Sequence, residues 1–363
     1  MTGKTSAPFS HVHIVGTGLL GTSAGLALRE RGVTVTLEDA SPSSLALAED
    51  YGAGVRRGAG DPEPELVIVA TPPDVVADVV IRQLEAFPSA LVMDVASVKA
   101  AIARDVASAS GHSARFVPSH PMAGRERGGT VSGRSDLFTA RPWVICPQDS
   151  DAHASIRSLV VSLGALPFEM SPGEHDEAVA LMSHVPQLIS SLAAARLLGA
   201  SELALGLAGG GVRDVTRIAQ SDPALWTQIL AANSAPIAQG LRSLRGDLDK
   251  VLGALDEVDS AGSKKALAEV LSAGVSGVSR LPGKHGTSTA FASLIVVIDD
   301  SPGELARLLT QLGEWGVNLE DLRLEHSPGA QVGFADLTLA PELVADVESR
   351  LRDAGWRIAG ERA

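Results

Sequence analysis

Short apolar runs bounded by turn residues recur from His11 to about Met170: HVHIVG, VTVTLED, LVIVAT, ALVMDV, RFVPSH, WVICP and ALPFEM. Between them lie segments with apolar residues at helical spacing. This alternation predicts a doubly wound, mostly parallel sheet, a Rossmann-type α/β unit over residues 10–170. Beyond Ser171 the β signal vanishes, and Ala and Leu recur at helical spacing, as in Leu188, Leu192, Ala195 and Leu198. Residues 171–274 are therefore expected to be all helix. The Gly- and Ser-rich stretch Ser272 to Thr289 reads as a linker or mobile loop, assigned to 275–289. A last unit, 290–363, has the order βαββαβ of a small ferredoxin-like α+β module. Its first helix is marked by Ser301 as cap, Pro302 in the first turn and Glu304 as capping-box acid. Leu305, Leu308, Leu309 and Leu312 form its apolar stripe, and the turn Ser327-Pro328-Gly329 separates two of its strands.

Composition narrows the class. The 363 residues favour two or three domains, and 45% hydrophobic residues suffice for real cores. Thirty basic against forty-three acidic side chains give a formal charge of −13, with no basic block, which argues against a nucleic-acid partner. No apolar run is read as long enough to cross a bilayer, and Met1 to Ser10 has no signal-peptide core, so no membrane partner is expected and the chain reads as cytoplasmic. Cys146 is the single cysteine, which excludes an intramolecular disulfide and a multi-cysteine metal site. No metal is expected; the nine histidines remain as acid–base groups.

VGTGLLG places Gly16, Gly18 and Gly21 directly after the first strand, with a helix from Leu19 and Leu20 onward. Glycines there permit a tight turn and close backbone approach, so a pyrophosphate can sit on the helix N-terminus. The second strand ends at Glu38-Asp39, where a carboxylate would bind the ribose hydroxyls. No Arg follows within Ala40 to Asp50, which favours NAD over NADP, although Arg56 and Arg57 could fold back. Ala70-Thr71-Pro72, the Ser97 loop in DVASVK and Ser119-His120-Pro121 also end strands, and ligands of open α/β sheets bind outside those carboxyl ends. Pro121 biases His120 toward an extended backbone at that edge.

On the helical unit, Ser183, His184 and Gln187 share one helix side, and Pro186 removes a backbone donor that would free the carbonyl of Met182. In GVRDVTRIAQSDPALW, Arg213 and Arg217 share a face with Asp214 near Arg217, and Asp222-Pro223 starts a helix that carries Trp226. Two arginines on one side suit a substrate with carboxylates.

These motifs, in the order VGTGLLGTSAGLAL, ATPP, DVASVK, SHPMAGRERGG, GEHDEAVALMSHVPQ and GVRDVTRIAQSDPALW, make the whole chain resemble bacterial prephenate dehydrogenases with a C-terminal regulatory module of the ACT type. The resemblance implies NAD-dependent oxidative decarboxylation of prephenate to 4-hydroxyphenylpyruvate in tyrosine biosynthesis. It implies His120 as acceptor of the C4 hydroxyl proton and Ser97 as the group that orients the histidine, the hydroxyl and the nicotinamide. Arg217 would bind a substrate carboxylate, and Glu126 would gate the pocket with it. His184, Arg213, Asp214 and Trp226 would form the supporting wall, and Gln187 stands where the family often has histidine against the substrate side chain. Arogenate is the alternative substrate. The turn Asp300 to Leu305, with Pro302 and Gly303, resembles an amino-acid-binding turn, so tyrosine is the expected feedback effector and a homodimer the expected assembly. A β-hydroxyacid dehydrogenase is disfavoured because no Lys occurs from Ser171 to Asp249. A catalytically silent amino-acid sensor is disfavoured by the retained Ser97, His120 and Arg217.

Overall fold

The computed structural model describes residues 7–109, 111, 113–124, 128–147, 151–282, 291–326 and 331–362. They form two compact units, one running to Ala195 with Thr216–Ser243, the other comprising Arg196–Val215 with everything from Leu244 onward.

In the first unit a six-stranded parallel sheet contains β1 (His11–Val15), β2 (Thr34–Glu38), β3 (Val55–Arg56), β4 (Leu66–Val69), β5 (Leu91–Asp94) and β6 (Phe116–Val117), in the order β3-β2-β1-β4-β5-β6. The strand order reverses between β1 and β4, which opens the crevice at the carboxyl ends. Strands β1 and β4 are buried along their whole length, as expected for strands covered by helices on both faces. Helices α1 (Leu19–Arg29), α2 (Pro42–Asp50), α3 (Val76–Ala86), α4 (Ala100–Ala109) and α5 (Asp151–Ser162) belong to this region.

The run RFVPSH does not form one strand. Pro118 carries no N–H for the ladder, so the chain leaves the parallel sheet after β6 and resumes as β7 (Ser119–Pro121). This strand pairs antiparallel with β8 (Pro142–Ile145), which pairs parallel with β9 (Leu166–Glu169) in a separate three-stranded sheet. The break sets His120 just beyond the parallel sheet's carboxyl edge.

From Ser171 the described chain is helical: α6 (Pro172–Val179), α7 (Val185–Arg196), α8 (Glu202–Leu205), α9 (Gly210–Thr216), α10 (Pro223–Ala232), α11 (Ser234–Asp256) and α12 (Ser263–Val278). A capping box between Ser171 and Glu174 starts α6. The final helix corrects the linker expectation: Leu271, Val275 and Val278 continue its helical spacing, so α12 runs to Val278, and 283–290 lie outside the described residues. The expectation that no segment is long enough to span a bilayer also needs correcting. Residues 172–199 are long and apolar enough to cross a bilayer, yet the segment carries buried His175, Asp176, His184 and Gln187.

The second unit ends in β10 (Ala292–Asp299), α13 (Glu304–Glu314), β11 (Asp321–His326), β12 (Val332–Leu339), α14 (Pro341–Asp353) and β13 (Arg357–Arg362), with antiparallel sheet order β11-β12-β10-β13. Alternate residues Ala335, Leu337 and Leu339 of β12 are buried with Leu308, Leu312 and Leu351 of the two helices. The cap expected at Ser301 is not formed. Gly303, at φ +95°, caps α13 without any side-chain bond, and Glu304 pairs forward with Arg307. A left-handed backbone at that position is what glycine tolerates. The turn at Ser327-Pro328-Gly329 lies outside the described residues.

Candidate active site

The glycine loop leaves β1 with Gly16 at φ +99°, and its N–H donates to Glu38 O at 2.8 Å. A Cβ on Gly16 would lie 2.5 Å from Ala70 O, and one on Gly21 would lie 1.8 Å from Gly16 O. Both positions therefore require glycine on contact grounds. Gly18 differs: open space surrounds its Cβ position. It caps α1 with no side-chain bond, so the first amides, Leu19, Leu20 and Gly21, point out of the helix N-terminus. That is the arrangement an anion such as a pyrophosphate uses.

Asp39, just past β2, accepts from Thr17 N–H at 2.6 Å, Thr17 Oγ1 at 2.8 Å and Ser41 N–H at 2.8 Å. It lines a cavity of about 450 Å³ with Leu37, Pro42, Arg56 and Arg57. Arg57 donates to the carbonyls of Asp61 and Pro62 and stacks over Phe87 at 4.7 Å. Beyond β4, Thr71 Oγ1 is buried without a partner among the described residues, next to Ala70 and Pro72. Glycines, carboxylate and orphan hydroxyl together fit a dinucleotide.

A second group of polar side chains is assembled from distant segments. Asp94 at the end of β5 and Lys99 are both fully buried and form an ion pair. Asp94 also accepts from Ala96 N–H at 3.0 Å and Ser119 N–H at 3.2 Å. Burial pushes the Asp94 carboxyl above its usual range, against the pull of Lys99. Ser119 Oγ donates to Asp94 O and accepts from Trp143 Nε1–H at 3.0 Å, fixing the start of β7.

His120, half-buried in β7, faces His175 of α6, with Nδ1 2.9 Å from His175 Nε2. His175 Nδ1 is in turn 2.7 Å from Asp176 Oδ1. Asp176 accepts from Lys99 N–H and Ala100 N–H, each at 2.8 Å. Burial raises the Asp176 carboxyl, but the bonds from His175, Ala100 and Lys99 outweigh it and leave the group below its ordinary value. The His120 imidazole lies well below its ordinary value, through burial first and then the nearby His175, Lys99 and His184. It is neutral near pH 7, as a proton acceptor must be.

The loss of a donor at Pro186 is absorbed by a π-turn. Residues Ala180–His184 form it, and Val185 N–H reaches five residues back to Ala180 O. Such turns recur at functional sites. The wider turn replaces the regular helical side expected for Ser183, His184 and Gln187. His184 and Gln187 are buried, whereas Ser183 is half-buried. Asn233 donates to Asp176 O at 2.8 Å and to His184 Nδ1 at 3.1 Å, and Trp226 meets the His184 ring edge-on at 5.9 Å. Burial, with His175 nearby, takes His184 down to about 4 despite Asp176. Gln187 Nε2 donates to Ile218 O at 3.0 Å.

Arg217 does not continue α9. That helix ends at Thr216 and Arg217 opens a 3-10 turn to Gln220, so the four-residue spacing from Arg213 is not that of one continuous helix. Both arginines are exposed; Arg217 belongs to the first unit, Arg213 and Asp214 to the second. Ser97 is half-buried and its hydroxyl bonds no described residue, so the group that holds His120 is His175. Glu126 lies outside the described residues, and Pro302 and Gly303 are exposed in the second unit.

A family model described as the nucleotide-binding domain of prephenate dehydrogenase matches residues 24–166, and one described as its dimerization domain matches 171–272. A probable prephenate dehydrogenase of Streptomyces niveus is 37% identical over 355 residues, covering 94% of this chain and 98% of that one. The chain belongs to the prephenate dehydrogenase family. The prephenate dehydrogenase of Bacillus subtilis is 26% identical, covering 86% of this chain and 87% of that protein. Synechocystis arogenate dehydrogenase superposes with TM-score 0.61 at 26% identity, covering 74% of this chain and 99% of its own. The A. aeolicus prephenate dehydrogenase solved with hydroxyphenyl propionate and NAD+ shares the fold, with TM-score 0.64 at 24% identity over 76% and 99% of the two chains.

Within this family member, His175, Asp176, Asn233, Asp94 and Lys99 are the site groups that sequence reading passed over. For Asp94 and Lys99 a signal was present, charged residues in the mostly apolar run VMDVASVK; His175 and Asp176 sit inside the polar run GEHDE, and Asn233 carries no such mark. Cys146 takes no part. Burial pushes its thiol up to about 12, which keeps it protonated.

Proposed function

We propose that the chain is an NAD-dependent prephenate dehydrogenase, carrying out the oxidative decarboxylation of prephenate to 4-hydroxyphenylpyruvate in tyrosine biosynthesis. The observation that carries this reading is His120, held by His175 just beyond the sheet edge that also bears the glycine loop. NAD, when bound, accepts a hydride from C4. His120 takes the C4 hydroxyl proton as the carbonyl forms. Loss of the ring carboxylate as CO₂ sends its electron pair into the ring, and the proton returns to the resulting phenolate. Aromatisation drives the step, so the protein's task is orientation and the handling of one proton. Ser97 contributes a hydroxyl to the reacting centre, and Arg217 anchors a substrate carboxylate, with Trp226, His184, Ser183 and Glu126 as further substrate-site groups. Gly16, Gly18, Leu19, Leu20, Gly21, Asp39, Ala70, Thr71 and Pro72 hold NAD.

Arogenate is the second reading. The Gln187 amide spends one N–H on Ile218 O and keeps a second N–H and Oε1, so it can meet a keto oxygen as donor or an ammonium as acceptor. Assays with prephenate and arogenate, each with NAD and NADP, test both readings through reduced-nicotinamide absorbance. Prephenate with NAD is expected to react fastest; faster turnover of arogenate selects the second reading, and no reduction with either substrate overturns both.

The assembly proposed is a cytoplasmic homodimer through the helical segment, where Leu198, Leu203 and Leu207 are 91%, 82% and 83% exposed. The C-terminal βαββαβ unit is proposed as an ACT-type module that binds tyrosine at the Asp300–Leu305 turn. Tyrosine inhibition that survives Gly303→Val would move the effector elsewhere.

A further inference from the structure

We propose that His175 and Asp176 are positioning residues that hold His120 in its Nδ1–H tautomer, leaving Nε2 as the ring's only proton acceptor; this rests on His120 being the proton acceptor of the reaction. The argument is one of donor and acceptor counting. Three donors converge on the Asp176 carboxylate: Lys99 N–H and His175 Nδ1 on Oδ1, Ala100 N–H on Oδ2. Both amides open the first turn of α4, whose dipole further favours a negative charge there. An ionised Asp176 can only accept, so His175 Nδ1 carries a hydrogen. With a single ring proton, placed at Nδ1, the other nitrogen of His175, Nε2, is an acceptor. Its described partner is His120 Nδ1, at 2.9 Å. Two lone pairs facing each other at that distance would repel, so His120 Nδ1 donates. Its proton-accepting nitrogen is Nε2.

The pair is braced from behind. Asn233 donates to the Asp176 backbone oxygen at 2.8 Å, fixing α6, while the buried Asp94–Lys99 pair fixes the loop that supplies the two amides. The chain Asp176–His175–His120 thus does for an imidazole base what a carboxylate alone does in a hydrolase triad: it selects the tautomer and the ring orientation. A histidine is interposed because the carboxylate is committed to α4 and lies one ring too far away.

The test uses the intact, NAD-loaded protein with ¹⁵N-labelled histidine. Nitrogen shifts and couplings separate protonated from unprotonated ring nitrogens, and His120→Asn assigns the signal. The expected spectrum shows His120 protonated at Nδ1 and bare at Nε2, with His175 in the same form. A His120 bare at Nδ1, or a doubly protonated His175, overturns the proposal. His175→Gln keeps an acceptor near Nε2, whereas His175→Leu keeps none. The leucine variant is expected to lose about 10²-fold in kcat with KM for both substrates within about threefold, and glutamine to recover at least about tenfold of that loss. Equal turnover by both variants and the parent overturns the proposal. Should the leucine variant fail to fold, the parent spectrum alone decides. A correct tautomer in a protein that oxidises neither prephenate nor arogenate leaves the positioning pair standing and removes the functional reading instead.

Discussion

The glycine loop at Gly16–Gly21 and the cluster around His120 lie along one carboxyl edge of the parallel sheet, yet they are held by opposite means. At the loop, backbone sits against backbone: Gly16 and Gly21 have no room for a Cβ, and the groups offered to a ligand are amides. At the cluster, charged and polar side chains are buried together, and each is held by the next. Asp94 and Lys99 have no access to solvent, and Asp176, His175, His120, His184 and Asn233 follow in one connected series of hydrogen bonds. The difference is one of risk. A backbone site costs conformational freedom in a few residues, whereas a buried polar network is stable only while every member keeps its partner.

Removing the base gives the largest expected effect. His120→Asn should lower kcat by roughly 10² to 10⁴, about 3 to 5 kcal/mol in the barrier, while NAD affinity stays within about twofold. Steady-state rates and a binding titration on the same preparation check both halves. A parallel loss of NAD binding would show that loop and cluster are not separable. Next comes the buried ion pair. Lys99→Met leaves Asp94 without its counter-charge and should destabilise the protein by about 3 to 5 kcal/mol in denaturant unfolding. The double variant Asp94→Asn with Lys99→Met removes both charges and is expected to regain about half of that loss; no recovery would mean that packing, not charge, is what Lys99 supplies.

This contrast also explains what could be read without coordinates. The glycine loop, Asp39 and the strand ends are local: each depends on spacing within a few residues, and β1, α1 and β2 follow from it. The break at Pro118 was local too, but its consequence, a second sheet led by β7, depends on pairing with β8 more than twenty residues later. The cluster is not local at all. Asp176 meets Lys99 across 77 positions and His120 meets His175 across 55, and no periodicity records such pairings. Pro186 announced a disturbance, yet only the coordinates show it resolved as a π-turn that buries His184. At Gly303 a serine-proline cap was the stronger local signal, and the left-handed glycine displaced it.

The cluster should also make the protein sensitive to acid in a way the loop does not. His184 is buried, accepts from Asn233 and is held down to about 4, below the ordinary 6.5. A histidine depressed in the folded state binds its proton more readily when unfolded. Its stabilising contribution is therefore complete above about pH 6.5 and is lost as pH falls toward about 4, roughly 1.4 kcal/mol per pH unit and about 3 kcal/mol over the window. Asp176, depressed below its ordinary 3.8, contributes its own loss only at the acidic end and beyond. His120, also depressed, adds a loss of the same sign, so denaturant unfolding at a series of pH values should show at least this slope in the parent. His184→Asn keeps an acceptor for Asn233 but cannot titrate, and its profile should be flatter. An unchanged slope would assign the acid sensitivity elsewhere.

The smallest effect belongs to the loop side and tests its independence most directly. The Asp39 carboxylate has about four lone-pair sites, and Thr17 N–H, Thr17 Oγ1–H and Ser41 N–H use three, leaving one for a ribose hydroxyl. Asp39→Ala removes that acceptor and the negative charge that repels a 2′-phosphate. NAD affinity should fall about tenfold, while NADP affinity falls less. Arg57 holds the Asp61 and Pro62 carbonyls through Nη2, whereas its Nη1 has no partner among the described residues and Arg57 lines the same cavity as Asp39, so an NADP preference in this variant would identify Arg57 as the 2′-phosphate partner. Asp39→Asn, which keeps an acceptor without the charge, separates the two contributions. At saturating NAD the turnover of either variant should match the parent within about twofold, since the tautomer of His120 is set by α6 and not by the loop. A larger drop in kcat would mean that the ribose end of the cofactor helps to align the reacting carbon with the histidine, coupling two halves that are otherwise held separately.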